Sequence, residues 1–96
     1  MKFEWDRAKA TTNLAKHSVP FEEAVSVFYD PLSATFPDPD HSVGERRLIT
    51  YGYSQYGRLL VLSHTESEDT VRLISARVAT SSEKKRYETQ RPAPDR

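Results

Sequence analysis

The stretch RRLITYGYSQYGRLLVLSHTESEDTVRLISARV, Arg46 to Val78, is where the chain adopts a period of two. It divides into three runs, Arg46 to Ser54, Arg58 to Glu66 and Thr70 to Val78, each rich in the Leu, Ile, Val, Thr and Tyr that suit a half-buried pleated surface. Between them stand Gln55-Tyr-Gly57 and Ser67-Glu-Asp69, both short enough for hairpins. The three runs therefore read as an antiparallel meander, and the rest of the chain must supply what covers it.

Upstream, Phe3-Glu-Trp5 alternates apolar and polar as a short strand and is followed by Asp6, a good N-cap. Ala10, Leu14 and His17 then recur at helical spacing, with Lys9, Thr12, Asn13 and Lys16 mostly on other faces, predicting a first helix of about three turns. Ser18-Val-Pro20 interrupts it. A second helix is expected from Phe21 to Tyr29, with Phe21, Ala24, Val25 and Phe28 on one stripe and Glu22 and Glu23 in its first turn, where acidic groups suit the dipole. Asp30-Pro31 ends it. Leu32 to Phe36 is a short strand candidate and Pro37 to Gly44 a turn-rich loop. Beyond the meander, Thr80-Ser-Ser-Glu83 matches a capping box and opens a last helix running to Glu88. The expected order is βααββββα: an α+β fold in which an antiparallel sheet of four to five strands carries two N-terminal helices and one C-terminal helix.

A chain of 96 residues holds one domain, expected over 1–90, with the proline-bearing 91–96 as a flexible tail. The absence of cysteine excludes a disulfide framework and a thiolate metal site. No apolar run is long enough for a signal peptide or a membrane helix, so a cytoplasmic protein is expected. The zero net charge hides an asymmetry. Residues 1–45 hold four Lys and Arg against eight Asp and Glu, a balance of −4, whereas 46–96 hold ten against six, a balance of +4. A basic C-terminal half suits an anionic partner such as nucleic acid, and it equally suits an ordinary solvated face.

Strand alternation places Arg72 and Arg77 on opposite faces of the last strand, with Arg77, close to the last helix, the better site candidate. The alternative for each is a structural ion pair. His64, inside an apolar run, is a candidate general acid or base, or a satisfied structural histidine. Arg46 and Arg47 open the strand on which Tyr51 and Tyr53 follow Arg47 on its own face; cations with interleaved aromatics are how a single-stranded nucleic acid is gripped, through phosphates and stacked bases. Lys84, Lys85, Arg86 and Tyr87 extend the basic segment into the last helix. The scattered His17, His41 and His64 show no metal spacing, and there is no nucleophile elbow, phosphate loop or glycine fingerprint; no metal or cofactor is expected.

Phe3-Glu-Trp-Asp6 with Lys9, Asn13, Lys16 and His17, then Phe21-Glu-Glu-Ala24 and Phe28-Tyr-Asp-Pro-Leu32, resemble the start of the BrnT toxin family. Asp40-His41, Glu45-Arg46, Gly57-Arg-Leu-Leu-Val61, His64-Thr65 and Arg72-Leu-Ile-Ser-Ala-Arg77 with Ala79, Glu83 and Tyr87 continue the resemblance nearly to Glu88. The chain departs from the pattern at Pro20, where a small polar N-cap is expected, and at Thr80-Ser-Ser, which replaces a more basic run. The resemblance implies a RelE-like fold and a ribonuclease toxin of a type II toxin–antitoxin pair. It also implies neutralisation by a BrnA-like antitoxin whose ribbon-helix-helix part binds operator DNA, so that the complex represses its own operon.

On that reading the RNA 2′-hydroxyl is the nucleophile and no metal is needed. The expected catalytic set is His64, Arg77, Arg46, Lys85 and Tyr87, with Arg47, Tyr51, Tyr53, Arg72, Lys84 and Arg86 holding RNA. A non-catalytic module binding nucleic acid or an acidic partner through the same basic face is the alternative, and a structural adaptor docking a partner helix through exposed Phe and Tyr a weaker one.

Overall fold

The computed structural model describes residues 1–41 and 44–90; the expected tail 91–96 and part of the Pro37–Gly44 loop lie outside them. The elements are β1 (Lys2–Trp5), α1 (Arg7–His17), α2 (Phe21–Val27), β2 (Ala34–Pro37), a 3₁₀ turn (Pro39–His41), β3 (Arg47–Tyr53), β4 (Leu59–Ser67), β5 (Thr70–Val78) and α3 (Ser81–Gln90). This is the expected α+β order. The strands form one five-stranded sheet in the order β1-β5-β4-β3-β2. β2 to β5 are the antiparallel meander, while β1 lies parallel to β5, Phe3 opposite Val71 and Trp5 opposite Leu73. No hairpin ties β1 to its neighbour, so no turn imposes an antiparallel direction on it. No helix among the described residues is long and apolar enough to cross a membrane.

One face of the sheet is covered. Val19, Phe21, Ala24 and Val27, from α2 and the segment before it, pack on Leu60, Leu62, Val71, Leu73 and Ala76. Each of the buried Val, Leu and Phe side chains among them contributes about 1.5–3 kcal/mol of transfer free energy, and the two alanines less. Gly52 of β3 lets α2 approach: a Cβ there would lie 2.7 Å from Val27 Cγ1. α2 is tied down at its start as well. Arg58 donates to both carboxylate oxygens of the buried Glu23, Ser54 Oγ donates to Glu23 Oε2 at 2.7 Å, and Arg58 Nη2 reaches the Ser18 carbonyl. The hydrogen bonds from Arg58 hold Glu23 below the usual carboxylate range. A glutamate expected to answer the helix dipole is thus also the anchor that joins α2 to the β3–β4 turn.

The inner face of α1 differs from the expectation. Leu14 is half exposed, and Asn13 is buried. Its side-chain amide donates to the Val19 and Ala76 carbonyls at 3.0 and 2.8 Å, and its Oδ1 accepts from Ala76 N–H at 3.0 Å. β1 ends opposite Leu73, so β5 has no strand partner beyond that point on this side, and Asn13 satisfies the Ala76 donor and acceptor that a strand would otherwise pair. Asp6 caps α1, accepting from Ala8 N–H and Lys9 N–H. The predicted capping box also forms, with Glu83 N–H donating to Thr80 Oγ1 at 3.2 Å and Thr80 N–H to Glu83 Oε1 at 2.9 Å. α2 ends earlier and β2 starts later than expected, because Phe28 to Ser33 form turns closed by Asp30, whose carboxylate accepts from Leu32 N–H and Tyr53 N–H.

A β-bulge changes the reading of β5. The register passes from Ser63 opposite Ser75 to His64 opposite Leu73, leaving Ile74 as the extra residue. One inserted residue reverses the alternation. Arg72, opposite Thr65, and Arg77, opposite Val61, therefore lie on the same face, correcting the expectation of opposite faces.

Candidate nucleic-acid interface

The face turned away from α1 and α2 is organised in cross-strand rows. One row is Ala34, Tyr51, Val61 and Arg77; the next is Phe36, Ile49, Ser63 and Ser75; a third is Arg47, Thr65, Arg72 and Glu4. Adjacent rows are roughly 7 Å apart, two residues along each strand except on β5, where the bulge makes the step from Ser75 to Arg72 three residues. Phe36 and Tyr51 meet edge to face with centroids 6.2 Å apart, and Phe36 is 50% exposed on the edge strand. Asp38, Arg47, Ile49, Ser63, Ser75 and Arg77 line a shallow cavity of about 300 Å³ on this face. The structure thus brings Arg47, Tyr51 and Arg77 onto one face of the sheet, with Arg47 and Arg77 on the same cavity.

Arg77 is held from below by α3. Its Nη1 and Nη2 donate to the two oxygens of Glu83 at 2.7 and 2.8 Å, a bidentate fork that fixes the guanidinium plane. The hydrogen bonds from Arg77 bring the Glu83 carboxyl down to about 2. Glu83, read from sequence only as a capping residue, also positions this arginine. The signal was present in its spacing of six from Arg77 across a strand end, but pairing across that corner depends on where the helix turns back. Arg72 is answered by Glu4 of the neighbouring β1 at 2.8 Å, both half exposed, which is the structural ion pair given above as its alternative role.

The other expected residues are distributed differently. Tyr53 shares the open face, meets Tyr87 edge to face with centroids 6.1 Å apart and donates to Glu88. Tyr87 is buried and donates to the Leu32 carbonyl at 2.6 Å, so this pair docks α3 onto the end of the sheet. Lys84, Lys85 and Arg86 are exposed along α3, and Arg46 is exposed just before β3. His64 lies on the helix-covered face, fully buried against Phe28, with Nε2 2.7 Å from Thr50 Oγ1. Thr50 in turn contacts Thr35 at 2.7 Å. Burial lowers the His64 pKa to about 4. The sheet separates it from Arg77. Among the described residues no three or more His, Asp or Glu side chains gather as a metal-holding group.

The fold that presents this face occurs in a known toxin. The crystal structure of the Brucella abortus ribonuclease toxin BrnT superposes with a TM-score of 0.67, covering 84% of this chain and 99% of that one at 24% identity, a likeness of fold. No curated protein matches the sequence. The family described as the ribonuclease toxin BrnT of type II toxin–antitoxin systems matches over residues 5–83, from the end of β1 to the first turn of α3 and so across every strand of the meander. With that match the chain belongs to the BrnT family of type II toxin–antitoxin ribonuclease toxins.

Proposed function

We propose that this chain is a cytoplasmic, RelE-like endoribonuclease that cleaves RNA on the open face of its sheet without a metal ion. The reading is carried by one observation: Arg77, oriented by Glu83, and Arg47 line one cavity beside the Phe36–Tyr51 aromatic pair. Two of the guanidinium donors of Arg77 serve Glu83 and Nη1 also reaches the Val78 carbonyl at 3.5 Å, so Nε–H and the second Nη2 N–H are the groups proposed to meet a phosphate oxygen. Arg47 adds a second cation as charge builds on the phosphate. The RNA 2′-hydroxyl attacks the adjacent phosphorus, the bond to the 5′-oxygen breaks, and a 2′,3′-cyclic phosphate and a 5′-hydroxyl result. The proton lost by the 2′-hydroxyl must be accepted, and the leaving oxygen must gain one. Tyr51 shares the row of Arg77, and we assign its hydroxyl the proton relay: it gives its proton to the leaving 5′-oxygen and takes up the one released by the 2′-hydroxyl. Lys85, two positions from both Glu83 and Tyr87 on α3, points away from them and has no part in the transfer. His64, buried on the opposite face, acts in this proposal by holding β3 to β4 through Thr50. As a type II toxin the chain has an antitoxin partner and an RNA substrate; we propose that the partner is BrnA-like, carries a ribbon-helix-helix part and brings the complex to operator DNA.

The test is incubation with end-labelled RNA in excess EDTA beside Arg77→Ala. Cyclic phosphate ends from the parent, reduced by about 10²–10³ in the variant with RNA affinity largely retained, support the enzyme. A parent that binds RNA and leaves it intact would instead identify a non-catalytic binding module.

A further inference from the structure

A second groove adjoins the first. It has a volume of about 370 Å³ and is lined by Lys9, Thr12, Lys16 and His17 of α1 together with Ile74 and Ser75 of β5. Ile74 and Ser75 also line the cavity that holds Arg47 and Arg77. The two depressions therefore meet at the bulge, where β1 has ended and the edge of β5 faces α1. Lys9, Thr12 and Lys16 fall at i, i+3 and i+7, one stripe along the helix, with the two ammonium-bearing residues roughly 10 Å apart along its axis. Lys9 and Lys16 are exposed, α1 contains no acidic residue, and no carboxylate lines the groove. Neither lysine makes an ion pair among the described residues. Three of the four Lys and Arg in residues 1–45 are Arg7, Lys9 and Lys16, so the acidic half of the sequence concentrates its positive charge on this one helix.

We infer that the groove between α1 and the bulged edge of β5 is a second RNA-binding subsite. A single strand held at Arg77 crosses the backbone at Ile74–Ser75 and lays its further phosphates along Lys9 and Lys16, with His17 at the far end. This rests on the proposed use of the open face by RNA, and extends it to the length of strand engaged. Lysine suits the task, because an ammonium on a flexible stem grips phosphate as a point charge without demanding one base or one geometry. The subsite adds affinity and length preference and leaves the chemistry to the sheet face.

The experiment uses the full chain and its Lys9→Gln/Lys16→Gln double variant with fluorescent 2′-O-methyl oligouridylates, whose blocked 2′-oxygen prevents cleavage. One oligomer has about four nucleotides and the other about twelve, within the range that single-strand grooves occupy. The expected result is unchanged binding of the short oligomer and weaker binding of the long one. The salt slope for the long oligomer should fall by about 1.4, or roughly 25-fold in affinity at 0.1 M salt, since each phosphate that a lysine no longer neutralises removes about 0.7 from the slope. Cleavage of a short unmodified RNA and the melting temperature stay at the parent's values. The inference is overturned if the long oligomer keeps the parent's affinity and slope, or if both lengths weaken equally. It is also overturned if the double variant loses only binding to duplex DNA or to an acidic peptide. A parent that fails to cut RNA but shows the lysine-dependent length effect would remove the enzyme reading and leave the subsite standing.

Discussion

At the scale of single residues, His64 shows how far a side chain's chemistry depends on its face. Its pKa of about 4 in the fold lies below the ordinary 6.5, because burial disfavours the imidazolium. The unfolded chain then binds more protons than the folded one between these values, so the His64 contribution is complete above pH 6.5 and is lost as pH falls toward 4. The effect is on the order of 3 kcal/mol. Urea unfolding across that pH window should show stability falling with acidity, and His64→Gln should flatten the dependence; a parent curve already flat between about pH 4 and 6.5 would refute it. Glu83 acts below this window, since its carboxyl at about 2 contributes fully above 4.5 and loses its contribution as pH falls through 2. Glu83→Gln keeps the size of the side chain but removes the charge that orients Arg77. If cleavage is as proposed, it should lower kcat more than it raises KM, whereas a purely structural role would shift only the melting temperature.

Elements here are joined by a few polar anchors as much as by the apolar core. Asn13 completes β5 where β1 stops, and Asn13→Ala would strand a buried N–H and two carbonyls. At roughly 1–3 kcal/mol for each orphaned group, a loss of about 3 kcal/mol is expected, or roughly 15 °C in Tm for a domain of this size, measurable by calorimetry. A variant with a Tm indistinguishable from the parent's would show that water replaces the amide. Gly52→Ala drives a methyl into Val27 and Ser33, and should destabilise by about 1–3 kcal/mol unless α2 lifts from the sheet. Both residues were visible in sequence only as a polar position on a helix and a glycine in a strand. What they touch comes from parts of the chain far away.

For the whole molecule, the sheet is a partition. Its covered face carries α1, α2 and the apolar core; its open face carries Arg47, Tyr51 and Arg77 with α3 docked at one end through Tyr53 and Tyr87. Variants on the two sides should therefore fail differently. Arg47→Ala is expected to reduce cleavage by at least about tenfold even when assayed well below its transition, while Asn13→Ala should lose Tm and recover its cleavage under that condition. Tyr51→Phe should lower kcat by about 10² with RNA affinity kept, since the ring still stacks and only the hydroxyl is gone. Equal loss of affinity and rate in Tyr51→Phe would remove it from proton transfer.

The features legible along the chain before any folding are local and periodic. The alternation of Arg46 to Val78, the caps at Asp6 and Thr80, the breaks at Pro20 and Pro31 and the shared face of Arg47, Tyr51 and Tyr53 depend on neighbours a few residues apart. The resemblance carried by separated motifs placed the family, which the match over residues 5–83 shows. Other features arise only in three dimensions. The bulge at Ile74 turned Arg72 to the side of Arg77, the end of β1 made Asn13 an inner residue, and the docking of α2 buried His64 beneath Phe28. The first two depend on one strand's register or length against another, where a shift of a single residue reverses which face a side chain occupies, and the third on where a helix distant in sequence lands on the sheet.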